Sequence, residues 1–453
     1  MRISRLALIL AAPLAAGCST LDSVTDAVGL SSTPGNIVSE AGHTPGLAVA
    51  DEPFAARAGA AVLARQGNAV DAVTTMFFAL SATYPVAAGL GGGGICLVRD
   101  RSGAVREFDF LARAPHTGGA FAVPGAVKGF HAMQRRMGSL PWQSTVAPGE
   151  AFAATGFPIS EALAGRLAAN LPVIRLDASL AAEFLDQSGQ PKPAGTVTRN
   201  SDLSETLAAV RLGEDDGFYK GPVAARIAAY SAAQQGGLTA GDLANYPAAD
   251  GPARLMTLGA YSVALPGPRT GAGAFAAGLM NNLSHAAGNA EDAATQAVRQ
   301  TLASFGVTSL PPDLGATGFA ALDAEGQAAS CAVTMNGAFG AGRTAAGTGV
   351  VMAASPSGET GIASAFLTPA IAADAGGVGL AGAGAGGPDG TAAIAYALLK
   401  LAGGQPLGRA ADLRGTGHAP RETVNAITCQ NGLCVALPDP GGKGLGAVAD
   451  IGQ

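Results

Sequence analysis

GFAALDAEGQAASCAVTM, residues 318–335, decides how this chain is built. Small and apolar residues run up to Leu322, turn formers fill 323–326, and a second apolar run reaches Met335. Two such runs around a short, Gly-containing turn read as a β-hairpin. A hairpin of the same kind lies far away in sequence. GLGGGGICLVRD (89–100) is a glycine turn feeding a buried strand over 95–98, and AVREFDFLA (104–112) returns from a turn at 101–103. LMTLGAYSVALPGP (255–268), TGIASAFLTPAIAAD (360–374) and GVGLAGAGAGG (377–387) add strand. Elsewhere the apolar spacing is helical. Residues 51–84 make two helices split at 66–68, GAVKGFHAMQRRMG (125–138) restarts a helix after Pro124, and most of 158–249 is helical, with Ser204 and Thr239 near helix starts. Residues 271–283 and 391–403 read as further helices, and 286–315 as a helix followed by a Pro-rich connector. Strands at both ends of the chain, with helices between and beyond, imply one α/β core assembled from distant segments.

The chain has 453 residues, 48% hydrophobic and only 13% charged, with 66 Gly and 27 Pro. A formal net charge of −6 without runs of like sign speaks against nucleic-acid binding, which needs a basic face.

MRISRLALILAAPLAAGCST opens the chain. Arg2 and Arg5 precede an apolar stretch, 6–16, that is too short to span a bilayer and fits the core of a signal peptide. LAAGC resembles a bacterial lipobox, which implies cleavage after a 1–17 signal peptide and lipidation of Cys18. Residues 18–45 then read as a lipidated N-terminus and flexible tether. The expected location is the bacterial cell envelope, anchored to a membrane by lipid and facing the periplasm or cell surface.

Cys429 and Cys434 flank Asn431-Gly432, a strong hairpin turn that sets the two cysteines opposite each other, close enough for a disulfide. Cys96 and Cys331 lie in apolar segments and are expected as buried small hydrophobes. No Cys or His pairs show ligand spacing, so neither metal nor cofactor is expected. His43 lies in the tether, and His116, His131, His285 and His418 adjoin no serine or cysteine motif. They read as surface or core histidines.

Several segments together resemble the γ-glutamyltransferase (γ-glutamyl transpeptidase) family of N-terminal-nucleophile hydrolases: AARAGAAVLARQGNAVDA, GLGGGGICLVRD, VPGAVKGFHAMQRRMGSLPW, TGFPISEALAGRL, LSETLAAV, GFYKGPVA, GGLTAGDLANY and, near the end, PDPGGKGLGAVAD. The resemblance implies a four-layer αββα sandwich. Residues 46–315 resemble the family's large subunit and 316–453 its small subunit. It also implies self-cleavage before a threonine, whose freed amine then activates its own hydroxyl to attack a γ-glutamyl amide such as that of glutathione.

The family's Thr-Thr-His run falls on Ala316, Thr317 and Gly318 when anchored on Asp323 and Gly326. Ala316 has no hydroxyl, and Thr317 would serve only if the strand slipped by one residue, which turns every side chain over. Thr334 and Asn336 fall on positions that support the nucleophile and bind substrate; a spacing of two places both on one strand face. The family's substrate arginine falls on Leu111, with Arg113 a displaced candidate on the same face. Ser355 and Gly358 stand where amide and carboxylate side chains are expected, and Ala365 and Phe366, ahead of Pro369, where a serine pair is. Gly386 and Gly387 fall on the paired glycines of the oxyanion hole. The stretch between Leu283 and Gly315 is shorter than in the family's enzymes. Two expectations follow: a non-catalytic member that binds a γ-glutamyl or other small amide ligand, or an active hydrolase or transferase that uses Thr317.

Overall fold

The computed structural model describes residues 46–267, 271–285, 290–356, 361–414 and 421–449. Two antiparallel sheets form its centre. Neighbouring strands of the first are Leu445–Val448, Leu47–Ala50, Ala316–Leu322, Ala328–Thr334, Gly93–Arg99, Val105–Phe110 and Ala249–Pro252. Those of the second are Leu433–Leu437, Thr423–Gln430, Gly377–Ala385, Thr368–Asp374, Tyr261–Leu265 and Arg254–Leu258. Sequence-distant hairpins thus meet edge to edge, with Cys331 opposite Cys96 across the junction.

The sheets stack face to face, with Ala320 and Leu322 of the first in one cluster with Ile371, Ala381 and Ile427 of the second. The glycine and alanine content is spent here. A Cβ added to Gly318 would collide with Ala383 of the facing sheet, so only a bare backbone permits this approach. Ser330 Oγ donates across the gap to the Gly382 carbonyl at 2.6 Å, and Asn425 Nδ2 to that of Gly318 at 2.9 Å.

Helices cover both outer faces. Helix Ala69–Thr83 is buried on every side, its Asp71, threonines and serine included. Phe77 in it stacks on Phe130 of helix Ala126–Met137 at 4.2 Å, and Phe130 on Phe319 of the central strand at 6.4 Å. Across the molecule, helix Pro388–Ala402 joins helices Gly271–His285 and Ala290–Ser304 over the second sheet. The result is the four-layer αββα sandwich.

Local chemistry explains the element starts. Asn68 and Asp71 cap helix Ala69–Thr83 reciprocally. Asp71 is fully buried and also accepts from Gln134 Nε2 and from the Ser139 and Leu140 amides, tying two helices to one carboxylate. Thr239 caps its helix in the same way. Ser204 does not: Asn200 caps helix Ser201–Gly213, and Ser204 bonds within its first turn. Residues 361–364 form a short helix, so the strand expected over 360–374 begins only at Thr368.

Cys96 and Cys331 are not free small hydrophobes; they form a disulfide between neighbouring strands. Their apolar surroundings showed burial but not that hairpin pairing would set them opposite each other. A second disulfide joins Cys429 to Cys434, with Asn431 and Gly432 at φ 54° and 78° between them, the left-handed pair a tight hairpin turn requires. Residues 1–45, with Cys18 and His43, and Gly358 and His418 lie outside the described residues.

Candidate active site

Ala316 opens the central strand and is fully buried. Its methyl group lies between the sheets, clustered with Leu111, Ala332, Leu367, Ala383 and Ala385. By strand alternation Thr317 shares the opposite face with Phe319. Its Oγ1 lies 2.6 Å from Asp51 Oδ2, while Asn425 Nδ2 donates to the other Asp51 oxygen at 2.7 Å. Burial pushes the Asp51 carboxyl above its ordinary pKa, against those two hydrogen bonds. Thr317 itself has no exposed surface.

The carbonyl preceding Ala316 is well held. Gly315 O accepts the Met335 amide at 2.8 Å and lies 3.1 Å from Thr334 Oγ1, which is also 3.0 Å from Leu314 O. The Asn336 amide donates to the same Oγ1 at 2.9 Å, which turns the hydroxyl proton toward the carbonyls. Upstream, Asp313 accepts the Gly315 amide at 2.9 Å and pairs with Arg166 at 2.7 Å in a buried ion pair. Gly315 has φ 56°, and a Cβ there would strike the Gly337 carbonyl, so the residue before the strand must be glycine.

Thr334 and Asn336 therefore meet, although not by sharing a strand face. The strand ends at Thr334, and Asn336 turns away at φ 60°, donating from Nδ2 to Ala354 O at 2.9 Å. The same error affects Arg113. The strand ends at Phe110, the Leu111 amide bonds back to Asp109, and Arg113 pairs with Asp109 at 2.8 Å at the surface side. Leu111 instead packs in the cluster around Ala316. Ser355 uses its amide on Ala120 O, while Phe366 is core, its ring edge-on to Phe275 at 4.8 Å.

Gly386 and Gly387 precede helix Pro388–Ala402. A Cβ on Gly386 would meet Arg421 O, and one on Gly387 the Glu422 carboxyl. Packing against backbone and φ 89° thus require glycine at 386, whereas at 387 only a movable carboxyl stands in the way. Glu422 Oε2 accepts the Asp389 amide at 2.5 Å and the Gly390 amide at 3.3 Å, filling the helix's anion-attracting end with the protein's own carboxylate. Burial, then the nearby Asp389 charge, raises the Glu422 pKa to about 7. Asp51, Arg166, Asp313 and Glu422 were invisible as site residues in the sequence, because their partners Thr317, Asp313, Arg166 and the Asp389 amide lie far along the chain. Arg166 sits in a family-like segment, but nothing there marks it as a site residue. Chemically, the constellation polarises the 315 carbonyl but sets no nucleophilic side chain at 316.

The model of the family described as gamma-glutamyltranspeptidase matches residues 55–305. The glutathione hydrolase proenzyme of Pseudomonas sp. (strain A14) is 28% identical over 252 residues, 51% of this chain and 44% of that one. The glutathione hydrolase proenzyme of Escherichia coli (strain K12) is 28% identical over 226 residues, 45% and 39% of the two chains. Glutathione hydrolase 7 of Mus musculus is 33% identical over 247 residues, 50% and 36%. The chain thus spans less than half the length of these relatives. Among solved structures, cephalosporin acylase from Bacillus halodurans superposes with a TM-score of 0.74 at 18% identity, covering 92% of this chain and 97% of that one. Helicobacter pylori gamma-glutamyltranspeptidase gives 0.53 at 24% identity, covering 61% and 84%. The acylase shares the fold over nearly the whole described chain, and the matched sequence fills more than half of it: this chain belongs to the gamma-glutamyltranspeptidase family.

Proposed function

We propose that this protein is a cell-envelope member of its family that neither cleaves itself nor carries an acyl group at residue 316, and that works by binding a γ-glutamyl or other small amide ligand. One observation carries the reading: the Ala316 methyl group is packed in an apolar cluster that includes Leu111, where the resemblance places nucleophile and substrate arginine. Losing a hydroxyl removes the attacking atom, and losing a guanidinium removes a bidentate carboxylate partner. The lipobox-like LAAGC, with Cys18, supports anchoring by lipid; among the described residues no helix is long and apolar enough to cross a membrane.

A second reading, autocleavage and acyl transfer through Thr317, draws on the Asp51 carboxylate 2.6 Å from its hydroxyl, a base beside a potential nucleophile. Against it, Thr317 is wholly buried on the strand face opposite Ala316.

The test is the intact mass of the exported protein under denaturing conditions, followed by hydrolysis of a chromogenic γ-glutamyl anilide. One uncleaved chain without hydrolysis is expected. Two fragments meeting at Ala316–Thr317 would overturn the first reading in favour of the second.

A further inference from the structure

We propose that His131 and Glu214 bind one divalent transition-metal ion of zinc's class, with Asp215 fixing the imidazole from behind. His131 projects from helix Ala126–Met137, and its side chain is only 6% exposed. Nδ1 lies 2.7 Å from Asp215 Oδ1, while Lys128 Nζ holds the other Asp215 oxygen at 2.7 Å. Asp215 is therefore fully engaged as an orienting partner, and the ring's second nitrogen is left facing Glu214. A carboxylate behind a metal-ligating imidazole is the usual support for such a site.

Nε2 is the telling atom. It is buried and makes no hydrogen bond, although Glu214 Oε2 stands 3.1 Å away. A close but misaligned contact is poor hydrogen-bond geometry. It is the right separation for two ligands of one ion: metal bonds of about 2.0–2.1 Å at tetrahedral angles put neighbouring ligand atoms about 3.3 Å apart. Glu214 is held there at φ 54° and ψ −143°, a costly backbone state for a residue other than glycine. Glu214, Asp215 and Asp250 balance Lys128, Arg135 and Arg136 around the cluster, so the ion would be held by coordination and not by net charge. Beside His131 and Asp215 opens a cavity of about 690 Å³, lined also by Lys128, Arg135, Arg136 and Asp250; water would complete the coordination from the half-exposed Glu214 side.

This departs from the expectation of no metal. Ligand-spacing rules look for donors close in sequence, whereas these come from helix Ala126–Met137 and from the junction between helices Ser201–Gly213 and Asp216–Tyr219. A bound ion would clamp those elements together.

Trp142, the chain's single tryptophan, lies edge-on to the His131 ring at 5.0 Å, so fluorescence reads the site directly. The experiment uses tag-free, chelator-stripped full-length protein. Ni²⁺ should quench Trp142 saturably, Zn²⁺ should compete with that quenching, and elemental analysis after desalting should find one zinc per chain. Glu214→Gln, at a half-exposed side chain, should keep the wild-type circular dichroism and melting temperature without metal. Its zinc affinity should fall at least about tenfold, and Asp215→Asn should also weaken binding about tenfold, the range seen for lost orienting partners. Absence of saturable quenching in the wild type, or equal zinc affinity in a folded Glu214→Gln, would overturn the proposal.

Discussion

The two sides of the Gly315–Ala316 peptide differ in what they are made of. On the carbonyl side, Met335 donates from its amide and Thr334 approaches from the adjoining strand. The register that pairs Thr334 with Ala316 places both, so the fold itself maintains the Met335 amide, and the Thr334 hydroxyl is the one side-chain donor it brings. On the other side everything depends on side chains, and those are a methyl group, a leucine and neighbouring alanines. Backbone-built parts of a site persist as long as the sheet does, while side-chain-built parts change without disturbing it. Gly386 carries the same lesson with a qualification, because close packing against the Arg421 carbonyl and φ 89° suffice to require glycine there.

The largest effect in breaking this contrast is expected from the ion pair that holds the carbonyl side from upstream. Arg166→Met leaves the buried Asp313 carboxylate, which also accepts the Gly315 amide, with only Asn170 Nδ2 at 3.0 Å and a distant Arg421 Nε at 4.0 Å. Breaking a buried pair from one side costs about 3–5 kcal/mol, to be read from urea unfolding. A loss under about 1 kcal/mol would show that the 315 turn holds itself, and that the carbonyl side owes nothing to this pair.

Next comes pH. Burial raises Glu52 to about 7 from an ordinary 4.5, although it accepts from the Ala55 amide and the Thr83 hydroxyl. The folded chain then holds a proton that the unfolded chain has released, so stability falls as pH rises from about 4.5 to about 7. Glu422 adds a contribution of the same sign in the same window. For Glu52 the loss is of order 3 kcal/mol, at 1.36 kcal/mol per pKa unit. Melting temperatures between pH 5 and pH 8 should decline in the wild type and decline less steeply in Glu52→Gln, where Glu422 and the buried Glu183 still titrate. An unchanged slope in that variant would remove Glu52 as the cause.

How much of this was legible beforehand follows the same divide. The hairpin at 318–335, the glycine turn at 89–94 and the helix pair split at 66–68 could be read because each is encoded locally by turn formers and periodicity. Where Ala316 falls in its strand was legible because the turn at 323–326 fixes the register of the strand before it. The positions of Arg113 and Asn336 were misread because period-two alternation was carried past strand ends at Phe110 and Thr334, where the chain turns. The Asp51–Thr317 and Cys96–Cys331 pairings and the His131 cluster could not be read at all, since each joins residues that only the folded chain brings together.

Ala316→Thr asks whether the retained half of the site suffices. The new side chain enters a packed, fully buried position, and overpacking of this size costs about 1–3 kcal/mol. The variant should unfold at lower urea and remain one chain by mass, since its hydroxyl would face Leu111 and alanine methyl groups with no base beside it. Cleavage at Gly315–Ala316 would instead show that a single methyl-to-hydroxyethyl change restores processing, and that the backbone side had stayed competent.

Thr317→Val has the smallest expected effect and bears most directly on the alternative nucleophile. Valine keeps the shape and removes only the hydroxyl that lies 2.6 Å from Asp51. Asn425 still donates to that carboxyl, so the expected cost is that of one hydrogen bond, about 1 kcal/mol. The mass and any slow hydrolysis of a γ-glutamyl anilide should match the wild type. A structural hydroxyl predicts that pattern because its work is confined to holding the strand against residue 51. A catalytic hydroxyl predicts the reverse, in which stability barely moves while cleavage and turnover vanish together. The two roles are thus separated by which measurement changes, whatever the size of the change.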